Sequence, residues 1–485
     1  MAAGDPGHYI QCRSTQNGDT FNVTLPSTEG LNGDVQLHKD SETFTHSTSS
    51  NQDDVTVEAD GHYLFLCNQT FIQNTMTSYF SPHLLLSLNS TLLDCYGKAS
   101  MFIHEGEAAD SAISCATILD LTDGDTVEFR VCELSTSTGD AKRGTDLSGW
   151  TVIKLDDTWA YFRASVTAGT DDLEVNDTDQ TMGDITWTTT PDEKDSGYTH
   201  STGTDPEEIT LDAAGYYLVL ASLCFFNTSA SGQQRTCVVC DATINGTHVD
   251  GSYVSDYERN YPDGSFDTGY INFAKIIKTT SANDVLKLRA MHVNSQTTSH
   301  AAITERGITI VKLPDDADYI RLRRETNMET NAADDVDWDV QVEVDTASFG
   351  HSTGTNPERI DLNQSALCLF TFNAMSKFPD YAGSGDDYVS TGFAWKVDGT
   401  ENQYGRGGTF NRAFTGSSFK AGWSGRSCLS VIDMADGEYL SIGNVVLDGA
   451  EPDCEHLADE VTIEGVNVDS LFGEPPATFI HTSIT

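Results

Sequence analysis

Phe44-Thr45-His46-Ser47-Thr48, Tyr198-Thr199-His200-Ser201-Thr202 and Phe349-Gly350-His351-Ser352-Thr353 are three versions of one motif in a chain of 485 residues. His46 and His200 stand 154 positions apart, and His200 and His351 stand 151 apart. The match continues downstream without a gap, through Val55, Ile209 and Ile360, then Val57, Leu211 and Leu362. It then reaches Gly61, Gly215 and Ala366, and finally Leu64, Leu218 and Leu369. A period of this size is too long for a solenoid repeat and suits a domain. The chain therefore reads as three tandem copies of one domain, 1–156, 157–314 and 315–485.

Each copy opens on a short alternating stretch: Tyr9-Ile10-Gln11-Cys12, Tyr161-Phe162-Arg163 and Tyr319-Ile320-Arg321-Leu322. Period-two alternation of this kind marks a strand. Beyond the histidine motif, Val55 to Val57 and Ile209 to Leu211 alternate again. A turn at Gly61 or Gly215 then leads into a run that is almost wholly apolar, Tyr63 to Cys67, Tyr217 to Ala221 and Cys368 to Phe372. A strand without polar positions is covered on both faces. Closing strands are read at Trp150 to Leu155, Ile308 to Leu313 and, in the third copy, Ala477 to Ile484. No stretch has the periodicity of an amphipathic helix. About ten short strands per copy with turn-rich joins make an all-β protein of three antiparallel sandwiches, each a jelly roll.

Charge narrows the function. The chain carries 74 acidic and 27 basic residues, a formal net charge of −47. Such a surface repels phosphate backbones, so nucleic acid is excluded as a partner. A dense carboxylate surface also suits salty water, which screens its self-repulsion. The eleven cysteines are scattered in apolar runs and read as buried reduced thiols from a reducing compartment. Cys237 and Cys240 lack a second pair nearby and do not form a zinc half-site. The first residues show no secretion signal, and no apolar run approaches the roughly 18 residues of a membrane helix.

In copy two, Ser201-Thr202-Gly203 is followed by Gly215-Tyr216-Tyr217-Leu218-Val219 and the closing run Ile308 to Leu313. Copy one has Gly61-His62-Tyr63-Leu64-Phe65 and Gly124-Asp125-Thr126-Val127; copy three departs, with Ala366 and Cys368 in place of the Gly and Tyr. These landmarks resemble the complement C1q and tumour-necrosis-factor family of jelly rolls. The resemblance implies trimeric packing around an axis lined by apolar and aromatic strand residues. One chain carries three copies, and the joins at 156–160 and 314–318 are short, about 17 Å when extended. They can pass the chain sideways to a neighbour at the same base. The expectation is a pseudo-trimer within one chain; a three-tiered homotrimer is the alternative.

Few residues suggest chemistry. His46, His200 and His351 would form a ring if they met at a threefold axis and could then hold a metal or anion. No other chelating residue repeats beside them, so the reading favours strand histidines satisfied locally. Gly350-His351-Ser352-Thr353-Gly354 fits the hydrolase pattern Gly-x-Ser-x-Gly, but Thr45 and Thr199 replace the first glycine in the other copies. No cofactor is expected; calcium at the Asp-rich turns, Asp120 to Asp125, Asp315-Asp316 and Asp386-Asp387, is the one ion left open. Gly61, Gly215, Tyr63 and Tyr217 are read as structural signatures of the repeat. Binding is assigned to the variable mid-copy loops, with Tyr257, Arg259, Tyr261, Asp386, Asp387 and Tyr388 as candidates.

The functional expectation is a non-enzymatic virion structural protein, made in the host cytoplasm, of a bacteriophage with a salt-water host. It would be a capsid decoration, head protrusion or fibre knob. Its partners would be capsid or other virion proteins and a host-surface receptor or glycan, with no membrane. A surface adhesin or lectin-like protein is the alternative.

Overall fold

The computed structural model describes residues 9–13, 20–21, 29–31, 33, 35–73, 81–100, 110–133, 141–143, 148–169, 171–175, 181–227, 235–259, 268–293, 301–329, 335–377, 388–412, 424–448 and 455–471. Its strands pair antiparallel in six sheets, and every pairing stays within 9–154, 161–313 or 319–467. Each of these three units is a jelly-roll sandwich of two sheets. In the second unit one sheet runs, from edge to edge, Glu193–Lys194, Tyr161–Val166, Ala301–Leu313, Gly215–Asn227 and Thr268–Thr279. The facing sheet runs Tyr198–His200, Ile209–Leu211, Asp284–Val293, Arg235–Ile244 and Thr247–His248. The first and last strands of a unit lie side by side, so the chain enters and leaves at one end.

Alternate residues of each central strand serve two different cores. In Gly61–Gln73, Tyr63, Phe65 and Cys67 point into the sandwich with Phe44, Val55 and Phe129. Leu64 and Leu66 point the other way, and there they meet Leu218 and Leu220 of unit two and Leu367 and Leu369 of unit three. Every strand residue in this shared core belongs to the sheet that carries the long central strand of its unit. The three inner sheets thus face one another around a common axis, and the outer sheets face away. This is why the runs Tyr63 to Cys67, Tyr217 to Ala221 and Cys368 to Phe372 are almost wholly apolar: both faces are removed from water, and the one polar residue among them, Thr371, is buried and hydrogen-bonded to Glu464. Each fully buried Leu or Ile contributes about 1.5–3 kcal/mol relative to exposure.

One strand differs from its expected position. The closing place in unit three, between Tyr319–Arg324 and Ala366–Lys377, is held by Glu455–Asn467. Gly465, paired with both Ile320 and Phe370, sits there because a Cβ would come within 2.5 Å of the Phe370 ring. The run Ala477 to Ile484 lies outside the described residues. A single helical turn, Val468–Leu471, follows the closing strand.

Candidate functional site

The junction of the three units is the most differentiated part of the molecule, and strand register shows how it is layered. Gly61 pairs with Leu121, Gly215 with Thr279 and Ala366 with Met434, so residues at equal distances from these pairs are equivalent. Ile118, Ile276 and Val431 then form one level with Leu64, Leu218 and Leu369, all inside the shared core. Ala116, Ala274 and Leu429 form the next. Beyond them the axis turns polar, at Ser114, Asn272 and Ser427, and opens into a cavity of about 50 Å³ that all three units line. Ser427 donates to the Ala274 carbonyl and accepts from the Ala274 amide. Ser100 of unit one donates to the Asp256 carboxylate of unit two and accepts the Tyr270 amide. Burial pushes the Asp256 carboxyl above its usual range. A polar cavity of this size has room for a few ordered waters.

The three seams between units share a plan and differ in chemistry. At the first, the His62 ring stacks on Tyr161 with centroids 3.7 Å apart, and Nε2 lies 2.7 Å from Glu193. Burial alone would lower the His62 pKa; the hydrogen bond and charge of Glu193, with Asp120 and Asp157, outweigh it and raise it. At the second, Tyr216 stacks on Tyr319 at 3.6 Å and donates to Glu343, which also holds Lys278 at 2.7 Å. Glu193 and Glu343 are equivalent, paired with Arg163 and Arg321 in register. At the third seam the matching residues are Leu367 and Tyr9, both in the shared core. There Gln11 Nε2 donates to the Val431 carbonyl at 3.2 Å.

The second seam also contains a buried ion pair. Lys275 Nζ lies 2.7 Å from Glu464 and 2.8 Å from Thr462 Oγ1, and Thr371 donates to the other Glu464 oxygen at 2.9 Å. Lys275 and the Glu464 side chain are 1 % and 4 % exposed. Register places Thr117 and Thr309 at the corresponding positions of the first seam, and Ser430 and Thr151 at the third. His248 adds a second link: its two nitrogens lie 2.9 Å from Asp241 and 2.9 Å from Glu460 of unit three. Burial works against protonation, but these two carboxylates raise the pKa to about 9.

The signature histidines do not meet at the axis. Each sits on or beside the edge of its own outer sheet and bonds a backbone carbonyl in the loop that follows. His46 Nε2 is 3.1 Å from Gln52 O, His200 Nδ1 2.9 Å from Glu208 O, and His351 Nδ1 2.8 Å from Arg359 O. Burial lowers the His46 pKa, and its ring packs edge-on to Trp150. Tyr63 and Tyr217 donate to the Ala59 and Ala213 carbonyls, pinning the turn before the central strand. Gly61 and Gly215 have φ of 146° and 145°, and a Cβ at either would crowd Lys154 and Asp157 or Lys312 and Asp315.

Three of the six candidate loop residues lie in strands. Tyr257 is no loop residue: it lies in the strand Val254–Arg259, opposite Cys237, and is 5 % exposed. The sequence carries no alternation there, because Val254 and Tyr257 are three positions apart and fall on opposite faces of the strand. Arg259 ends that strand, and Tyr388 begins the strand Tyr388–Val397. Tyr261, Asp386 and Asp387 lie outside the described residues. Of the acidic turns, Asp125 is occupied by Thr122 and Asn89, and Asp315 pairs with Lys312. Asp53, Asp54 and Glu128 form a closer carboxylate group, with the Arg130 guanidinium bonded to Glu128.

No protein family matches the chain, and no curated protein does. Among solved structures, Eiger TNF from S. frugiperda matches with 16% identity over 32% of this chain and 95% of its own, TM-score 0.23. PNGF-II in a C2 crystal form matches with 8% identity over 88% of this chain and 100% of its own, TM-score 0.28. Infectious bursal disease virus, Gx strain, matches with 10% identity over 96% of this chain and 78% of its own, TM-score 0.21. Scores this low add nothing to the strand topology described above.

Proposed function

We propose that this chain is a non-enzymatic structural and binding protein of a virion, a capsid decoration, head protrusion or fibre knob, from a bacteriophage of a salt-water host. The observation that supports this reading is the shared core of the three inner sheets. A trimer made from one chain assembles at any concentration, and its three faces differ in sequence. Such a body suits a mount on a particle, where one face binds the shell and others stay free to meet a host surface. The signature histidines and the axial hydroxyls are engaged in holding backbone, as expected of a scaffold.

Charge placement supports the saline setting. Among the described basic side chains, only Lys194 and Lys278 are exposed. Others are drawn into the interior and the seams, as are Lys275, Arg306 and Lys98. Acidic side chains such as Asp60 and Asp123, Asp192 and Asp205, and Asp315 and Asp436 stand exposed in every unit. The outward surface is therefore more one-sided than the composition alone suggests. The test is peptide mass spectrometry on density-purified particles. Recovery at a fixed multiple of the major shell protein is expected. Recovery only in the soluble fraction, together with glycan-array binding by the free protein, would replace this reading with the adhesin one.

A further inference from the structure

By the register that aligns the axial levels, Arg426 of unit three occupies the position held by Ile113 in unit one and Ile271 in unit two. Both isoleucines belong to the sandwich cores of their units. Unit three has thus put a cation where the other two have an apolar core residue. All three side chains line the axial cavity. A charge in such a place costs stability unless it is paired and its donors are used.

The protein itself meets neither condition. Arg426 Nε is buried and has no hydrogen-bond partner. Among the described residues, the guanidinium donates to no group and makes no ion pair. The carboxylate whose charge it feels is Asp256 of unit two. That carboxylate is already engaged by Ser100 Oγ and the Tyr257 amide. Burial pushes its pKa up to about 7, so near neutral pH it is partly protonated and balances the arginine only in part. Asn272 Nδ2, on the same cavity, gives one hydrogen to the Ala116 carbonyl in a long bond of 3.4 Å and keeps the other. Buried donors left without partners call for a bound water or ion. A water would satisfy the hydrogen bonds and leave the charge unpaired; an anion does both.

We propose that the axial cavity binds one small monovalent anion, chloride in salt water, against the Arg426 guanidinium and the Asn272 amide. Size and charge select the class. A cavity of about 50 Å³ suits a halide with a water better than an organic acid. One guanidinium beside one partly protonated carboxylate balances a single negative charge and no more. The ion would sit where all three units meet, so it ties the junction together and not one unit alone.

Anomalous diffraction from crystals grown in sodium bromide tests this directly, because bromide replaces chloride and can be located. A single peak in the cavity, in contact with the Arg426 guanidinium, is expected. A map with only water in the cavity would overturn the proposal. Thermal unfolding gives the second measurement, at fixed high sodium concentration, with chloride exchanged for gluconate, which is too large for the cavity. Ionic strength is the same in both salts, so screening of the surface charge does not enter. The exchange should lower the melting temperature of the native chain by roughly 2–3 °C more than that of R426I, which restores the isoleucine of the other two units. An equal response in the two chains would overturn the proposal. If R426I does not fold, the bromide map decides alone.

Discussion

Gly215 and Lys275 show how single residues carry the junction. Gly215 combines a φ of 145° with side chains of Lys312 and Asp315 where a Cβ would lie. Gly215→Ala should destabilise the chain by about 1–3 kcal/mol, read as a lower denaturant midpoint. The corresponding Ala366 is tolerated because its φ is not in the positive range. Lys275 is buried against Glu464, and removing one partner leaves the other charged and desolvated. Burial lowers the Lys275 pKa and the Glu464 carboxylate offsets part of that shift. Lys275→Met alone should cost about 3–5 kcal/mol. K275T/E464T, which copies Thr117 and Thr309 of the first seam, should recover most of that loss. A double variant no more stable than either single one would refute the pairing as the cause.

At the scale of elements, the seams are the pH-sensitive parts. His248 has a folded pKa raised to about 9 from an ordinary 6.5 by Asp241 and Glu460. A raised histidine stabilises the fold fully below about 6.5 and loses that contribution as pH climbs through about 9. His62 acts in the same direction at the first seam. Thermal stability should therefore fall between pH 6.5 and 9, with a contribution from His248 of up to about 3 kcal/mol. His248→Gln should flatten much of this slope, and a slope unchanged by the substitution would show that other groups set it. The central strands are the other element-level lesson. Their almost wholly apolar runs implied cover on both faces, because alternation disappears when neither face meets water. The strand at Val254–Arg259 was missed because its polar residues face partners from another unit: Asp256 meets Ser100, and Ser255 accepts the Gly425 amide.

For the whole molecule, the shared core predicts that chain order matters less than the ring. A circular permutant that begins at Tyr161 and links Leu471 to Tyr9 by a short Gly/Ser segment should fold with near-native stability. Failure to form a soluble, cooperative product would count against the layout of the seams. The native chain should behave in light scattering as a 52.7 kDa body. Threefold that mass would mean that chains associate further through their outer faces. Stability should also drop as salt is reduced from molar to millimolar, since the exposed charge is nearly all of one sign and only screening moderates its repulsion. A melting temperature indifferent to salt would remove the saline argument.

The sequence alone determined that one jelly roll is written three times, because repeat spacing, strand alternation and two-sided apolar runs are local patterns that survive divergence. It also determined the repeated turns, since Gly61 and Gly215 mark backbone positions that a side chain would strain. It did not determine the closing strand of unit three. Ala477 to Ile484 reads as a strand, yet Glu455–Asn467 holds the place, paired with both Tyr319–Arg324 and Ala366–Lys377, pairings that sequence alternation does not specify. Nor did it show that Lys275, Glu464, His248 and Glu460 face one another. Those partners lie more than 180 residues apart, and only the tertiary structure, by turning three inner sheets toward one axis, decides which charges are removed from water together.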